Sequence, residues 1–527
     1  MLQLGVLCDI IYQKQSLSAV QRCRQGAIGK SFLLLLFCPA ASGRAYFLQI
    51  FKGKVREKMK LVYNIGDNPR NSSMKFGQML IFAVQQLLAI MAATLVVPVI
   101  TNGSAKLEGA EAMSPAAALF GAGVGTLVYV LFTKAKSPVF LGSSFAFLGS
   151  MAAAFAGAVS VRAGYMGLII GAVMAGLVYV VIALAVKLAG VNWINKLMPP
   201  VVIGPVVALI GLSLAGNAVG DLQTAPAGGS TYIALLCGLV TLAVIIICSV
   251  FGKRTGFQRL IPFIIGILAG YAAAAILTVI GDAANIDAIK VIDFSPFSAL
   301  LENGKVTVKT FFAVPGFTFI TAFKGVSEIN GSYLATLALA YVPVAFVVFA
   351  EHIADHKNIS SIIEKDLLEE PGLHRTLLGD GVGSMVGAFF GGCPNTTYGE
   401  SIGCVAIPGN ASVCTIATAA VEAMVIAFIA PFVAFVNSIP SCVMGGVCMA
   451  LYGFIAVSGL KMIQDVDLGA NRNLFVVSVI LISGIGGLQL NIGKITITTV
   501  AVALILGILT NLLVSKSKDD SEENAAE

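Results

Sequence analysis

Residues Pro394-Asn-Thr-Thr-Tyr-Gly-Glu400-Ser-Ile-Gly-Cys-Val-Ala-Ile407 decide how this chain is read. They sit inside a run that otherwise reads as membrane, yet they carry two glycines, several hydroxyls and a carboxylate. The apolar part after Glu400 lasts only ~8 residues before Pro408, whereas a spanning helix needs ~20. The stretch is therefore expected to be a broken span, extended through about Tyr398 and helical from about Gly399. Non-helical backbone at membrane depth is tolerated only where protein buries it or where it lines a cavity. A half-helix starting there offers unpaired N–H groups and a positive dipole end to a ligand.

The rest of the chain supports a membrane setting. Of its 527 residues, 57% are hydrophobic and 11% charged, which excludes an ordinary soluble domain and predicts an all-α polytopic membrane protein. The net charge of +6 does not signal nucleic-acid binding, because the basic residues lie in short loops and in the N-terminal stretch. The ten cysteines show no metal-ligand spacing and lie mostly in apolar runs, so they read as packing residues. No cofactor or metal is expected.

Residues 1–58 fit the remainder poorly and read as an N-terminal extension, non-native or disordered, with natural synthesis beginning at Met59. From Phe76 onward apolar runs alternate with short polar breaks. They predict spans near 76–100, 115–133, 138–158, 164–189, 198–215, 231–251, 259–280, 332–354, 376–392, 395–408, 411–437, 439–459, 473–489 and 494–514. An even count of about 14 puts both termini on one side. Lys134, Lys136, Lys187, Lys253, Arg254, Lys357, Arg375, Arg472 and Lys516 share that side, which the positive-inside rule makes cytoplasmic. One long extracytoplasmic loop is expected at 282–331, and a cytoplasmic tail at 515–527. The halves repeat: Pro199-x4-Gly204-x-Val206 returns as Pro440-x4-Gly445-x-Val447. Likewise Gly142-Ser-Ser-Phe145 in the third span occupies the place of Tyr398-Gly-Glu400 in the tenth. Seven spans per half is odd, so the second half is expected to be inverted, with the third and tenth segments broken.

Glu351 ends the apolar run Val342-Pro-Val-Ala-Phe-Val-Val-Phe-Ala350. An acid there is costly unless it faces the bundle or water, which makes it a functional candidate. Glu400 stands at the mouth of the tenth-span half-helix, where it either caps the helix or meets a ligand. Asp355 lies one turn beyond Glu351 on the same face. Two carboxylates so placed resist double ionisation, so one of them can carry a proton. His352 is rotated about 100° from Glu351. Gln86, Tyr398 and Tyr452 are cavity candidates that packing alone would also explain. Asp380 reads as a helix-terminal structural acid, Trp193 as an interfacial belt residue, and Glu422 has no evident role.

Pro394–Glu400, together with Ala350-Glu351-His-Ile and Gly142-Ser-Ser-Phe145-Ala-Phe147, resembles the nucleobase–ascorbate transporter family and its bacterial uracil/xanthine permeases, from about Gln78 to about Leu513. The resemblance implies a core domain of 76–189 plus 332–437 and a gate domain of 198–280 plus 439–514. It implies import of a nucleobase, uracil first, by proton symport across the inner membrane, in a homodimer embedded in the lipid bilayer. It assigns Glu351 and Glu400 to the ring N–H groups of the base, backbone N–H groups at Phe145 and Gly399 to its carbonyls, and the Phe145 ring to packing on it. The chain departs from the family in carrying Asp355 where some members have His. It also has Gln86 where relatives often have His. Ser401 and Pro408 depart from the purine-type pattern. The alternatives are a xanthine or other purine permease, and an anion transporter on the related seven-plus-seven architecture. A membrane enzyme is disfavoured by three histidines and no nucleophile–base arrangement.

Overall fold

The computed structural model describes residues 76–190, 199–226, 228–252, 257–301, 304–406, 409–492 and 495–514. The expectations for residues 1–58, for Trp193 and for the tail from 515 lie outside them. The fold is mostly helical. Among the described residues eight helical stretches are long and apolar enough to cross a membrane. They are α1 (Phe76–Ala105), α2 (Pro115–Phe132), α4 (Val161–Ala189), the run of α5 (Pro200–Ser213) and α6 (Ala215–Gln223), α7 (Thr231–Phe251), α8 (Pro262–Ala284), α9 (Gly331–Ile363) and α14 (Ser441–Met462). Shorter elements complete the chain. These are strand β1 (Leu141–Ser143), α3 (Leu148–Ala156), α10 (Leu373–Gly391), strand β2 (Asn395–Thr397), α11 (Gly399–Ala406), α12 (Val413–Ile426), α13 (Ala430–Asn437), α15 (Asn471–Ile485), strands β3 (Leu490–Ile492) and β4 (Ile495–Ile497), and α16 (Thr499–Val514).

Helix starts follow local chemistry. Ser114 accepts from the Ala117 N–H with Pro115 as the first helical residue. Ser160 accepts from Ala163 N–H, and Asn330 from Tyr333 N–H. Each side chain satisfies a donor that the first turn leaves free. Gly392 closes α10 at φ 75°, a conformation that costs glycine little.

Several boundaries differ from the sequence reading. The run 411–437 is two helices, because Pro431 opens the second in its first turn and residues 428–430 join the long loop. Phe312 and Ile429 form a β-bridge, with Ala313 N–H donating to Phe428 O and Ala430 N–H to Phe311 O. Phe120, Phe317, Phe319, Phe389, Phe390 and Phe428 interlock around this junction at centroid separations of 4.9–6.3 Å, the usual range for aromatic pairs. The loop thus carries its own short helices, such as Thr318–Ala322, and is anchored on α2, α10 and α12. The span expected at 332–354 continues to Ile363. At that end Lys136 pairs with Glu370 and holds its carboxyl below the ordinary range. The contribution of this contact is present above that range and lost as pH falls through it, and solvent screening keeps it small.

Two groups of helices pack within themselves. In the first, α10 lies against α2 and α4, with α12 on α2; in the second, α14 lies against α5 and α7, with α8 on α7 and α15 on α16. Glycines let α2 and α10 approach closely. A Cβ at Gly121 would lie 2.6 Å from Gly387 O, and one at Gly125 would lie 2.6 Å from Asn395 Nδ2 and 2.8 Å from Gly383 O. Small residues at such a crossing maximise backbone contact, which is what holds helices together in lipid. Gly125→Leu is therefore expected to destabilise the fold by ~1–3 kcal/mol or more through overpacking. Thermal unfolding of the purified variant checks this, with Gly216→Leu as control, since nothing lies within 4 Å of a Cβ there.

Candidate functional site

The two stretches singled out by the sequence repeat meet in the structure. β1 and β2 pair antiparallel, with Leu141 opposite Thr397, Gly142 opposite Thr396 and Ser143 opposite Asn395. Ser144 N–H donates to Pro394 O at 2.9 Å. All six strand residues are buried, and buried backbone polar groups need partners. The ladder supplies them. Thr126 adds to it, accepting from Leu141 N–H at 2.9 Å and donating to Leu141 O at 3.2 Å. Gly142 is required by close approach: a Cβ there would collide with the Tyr398 ring. Tyr398 in turn donates its hydroxyl to Ser143 O at 2.6 Å.

Each strand runs into a helical turn. β1 leads to the turn Phe145–Phe147 and then α3, and β2 leads to α11, whose first residue is Gly399. Both turns open on one cavity of about 360 Å³. Glu351, Asp355, Glu400, Phe145, Tyr398 and Gly399 line one side, and Ile210 of α5 and Phe454, Ile455 and Ser458 of α14 line the other. Three carboxylates thus face a space walled largely by apolar groups. Thr397 Oγ1 donates to Asp355 Oδ2 at 2.7 Å, orienting that acid from the strand. The volume lies in the range of small-molecule sites.

Of the sequence candidates, Glu351, Asp355, Glu400, Phe145, Tyr398 and Gly399 converge on the cavity. Gln86 and Tyr452 do not line it. Gln86 stands behind α11, donating to Ser401 Oγ at 2.5 Å, and the same oxygen accepts Phe140 N–H at 2.9 Å. Ser401 thereby ties α1, the approach to β1, and α11 together. Tyr452 packs edge-on against Phe145, centroids 6.0 Å apart. Glu422 is away from the cavity on α12, with both carboxylate oxygens buried and without partners among the described residues.

Asp380 requires a correction. It is the eighth residue of α10, 1% exposed, and its Oδ2 lies 2.7 Å from His352 Nδ1. His352 also meets Thr376 Oγ1 at 2.9 Å, and its ring stacks on His356 at 4.0 Å. His356 continues to Tyr129 Oη and Ser137 Oγ, each step 2.7 Å. The available signal was the i, i+4 pair His352 and His356, which share a helix face pointing away from Glu351.

The Permease family profile (Xan_ur_permease) matches residues 77–493. The chain belongs to this family. The uracil permease of Bacillus caldolyticus is 39% identical over 457 residues, covering 86% of this chain and 95% of that protein. The uracil permease of Escherichia coli K12 is 35% identical over 435 residues, covering 82% and 90%. Among solved structures, the transmembrane domain of the cyanobacterial bicarbonate transporter BicA superposes with a TM-score of 0.54 at 15% identity, covering 83% of this chain and 98% of that one. Murine Slc26a9, an anion transporter, gives 0.53 at 12%, covering 94% and 75%. These two show a shared fold and nothing finer. This Permease family member is a multi-pass membrane permease and not an enzyme.

A side chain added at Gly399 separates the cavity of this permease from its stability. Nothing lies within 4 Å of a Cβ built on Gly399, so Gly399→Leu fills the cavity without crowding the scaffold. The variant is expected to unfold at the wild-type temperature yet to lose substrate binding. A drop in both would place Gly399 in the scaffold and not at the cavity mouth.

Proposed function

We propose that this permease imports a nucleobase, most directly uracil, together with a proton. The observation that carries the reading is the meeting of Glu351 and Glu400 with the first residues of two helical turns, Phe145 and Gly399, around one cavity. Uracil has ring N–H donors that suit carboxylates. Its carbonyl oxygens suit N–H groups at a helix start. Phe145 supplies an apolar face for the ring. The names of the relatives, uracil permeases at 35–39% identity, favour the same substrate.

On this reading β1 with α3 and β2 with α11 are the two broken spans of a seven-plus-seven inverted repeat of about fourteen segments. The helices around α2, α4, α10 and α12, with α9, form the core domain, and those around α5, α7, α8 and α14 the gate. Transport moves the core against the gate wall of Ile210 and Phe454. Both termini face the cytoplasm, the membrane is the inner membrane, and the working form is a homodimer. The coupling ion is a proton, because the cavity offers acids that can carry one. The anion-transporter alternative fits poorly, since three carboxylates repel an anion.

Uptake of labelled uracil into proteoliposomes, competed by uracil, xanthine and adenine, tests the reading. Uracil is expected to accumulate chemically unchanged and only when a proton gradient is imposed. Accumulation of xanthine in preference to uracil would transfer the assignment to the purine branch. Uptake driven by a sodium gradient alone would remove the proton.

A further inference from the structure

Behind the cavity, on the face of α9 that turns away from Glu351, lies a cluster that the transport reading does not use. Its burial and its hydrogen-bond partners constrain how many protons it holds. Thr376 Oγ1 lies 3.0 Å from Leu373 O, which can only accept, and 2.9 Å from His352 Nε2; with the hydroxyl hydrogen on Leu373 O, its lone pair faces Nε2 and that nitrogen carries the hydrogen. His352 Nδ1 then sits 2.7 Å from Asp380 Oδ2. Two acceptors do not approach so closely without a proton between them. The proton is either on nitrogen, giving an imidazolium–carboxylate pair, or on oxygen, giving an imidazole and a carboxylic acid. In both forms the pair is uncharged overall.

The surroundings confine that proton to the pair. His356 Nδ1 donates to His352 O at 2.8 Å, and its Nε2 accepts from Tyr129 Oη, which accepts from Ser137 Oγ. With His356 a neutral ring stacked on His352, every hydrogen in that chain is committed. Asp380 Oδ1 and Tyr179 Oη are buried without partners among the described residues. The Tyr179 ring stands edge-on to His352 at 6.5 Å. The titratable groups nearest the pair are Glu351, Asp355 and His356 from α9, Tyr179 from α4 and Tyr129 from α2. Asp380 lies within electrostatic reach of Glu351, Asp355, Tyr179 and Tyr129. Its only base among the described residues is His352. A charge on it has no compensation in an interior where that is costly.

We propose that Asp380 and His352 hold one exchangeable proton between them, forming a second proton site that shares its charge with Glu351. The proposal rests on the proton-coupled reading above and deepens it. Two interacting sites release protons in steps that belong to both. The first proton lost comes from Glu351 in some molecules and from the pair in others, so Glu351 stays protonated in a fraction of them. Asp380 is therefore a positioning residue acting on the cavity acid through charge.

The test has two arms on the full-length protein in lipid nanodiscs. The first is nitrogen NMR with labelled histidine. The chain has three histidines, assigned with His374→Gln and His356→Gln. His352 is expected to carry hydrogen on Nε2 and a strongly hydrogen-bonded Nδ1 whose signal moves in Asp380→Asn. A His352 protonated on Nδ1 alone would overturn the proposal, since the pair would then hold no extra proton. This arm needs no substrate. The second arm is uracil affinity from pH 5 to 9 in wild type and Asp380→Asn. The two should agree at pH 5. The variant, whose first proton comes from Glu351 alone, should bind about tenfold more weakly at the alkaline end, the effect of roughly one unit of lost coupling. Parallel curves, or a constant offset at all pH values, would reduce Asp380 to a structural role. Wild type that binds no uracil at any pH would sink the transport reading and leave the first arm to decide the proton.

Discussion

Glu400→Gln is expected to weaken uracil binding by roughly 10- to 100-fold, corresponding to the ~1.5–3 kcal/mol of a hydrogen bond to a charged group. The substitution keeps the shape of the side chain and exchanges one acceptor oxygen for an N–H donor, which would face a ring N–H of the base. Glu400 lines the cavity from the first turn of α11. The scaffold beneath it is held separately, by Ser401 with Gln86 and Phe140. The variant should therefore fold normally, and the loss should appear in affinity. Calorimetry or ligand-stabilised unfolding of the purified protein measures it. Unchanged affinity would remove Glu400 from the site.

The second large effect concerns Glu351 and Asp355. They lie one helical turn apart on α9, both on the cavity, and Asp355 is oriented by Thr397. Carboxylates at this spacing resist being charged together, so the pair takes up a proton more readily than a lone surface acid. A protonated Glu351 can donate to a carbonyl of the base, which ties substrate affinity to proton occupancy. By linkage, uracil then binds more tightly as pH falls, and bound uracil retains the proton in return. Glu351→Gln, permanently neutral, should keep measurable binding, lose the pH dependence from about pH 5 to 8, and abolish concentrative uptake. Asp355→Asn removes the neighbouring charge and should shift the pH optimum of uptake downward. Wild-type pH dependence persisting in Glu351→Gln would assign the coupled proton elsewhere.

Much of this was readable from local pattern. Apolar run length located most helices, and the short polar interruption at 394–400 located the strand and the helix start that follow it. Motif chemistry then named six residues that share one cavity. What stayed hidden depends on partners distant in sequence. Asp380 looked like a helix-end acid because nothing near it in the chain reveals that His352 faces it. Ser401 looked like a departure from a pattern, whereas it joins α1 to α11. The division of 411–437 into two helices was legible at Pro431, which stands in the first turn of α13 and cannot continue α12, whereas the backbone bonds from Phe311 and Ala313 that fix the break on the long loop come from outside the run. Gln86 and Tyr452 have the polarity and size of cavity residues, and only packing reveals that they support its walls.

The strand ladder has a consequence for how the protein is made. Tyr398 and the Ser143 carbonyl it binds are 255 residues apart in sequence, and the two strands belong to opposite halves of the chain. At ordinary synthesis rates roughly 10–50 s separate their emergence from the ribosome. During that interval β1 has entered the nascent protein with its backbone N–H and C=O groups lacking their final partners. In hydrocarbon each such group costs several kcal/mol, so the first half must keep this strand wet or sheltered until β2 arrives. The cavity that the two strands frame is therefore among the last features to form, and neither half of the gene expressed alone should yield a stably inserted product.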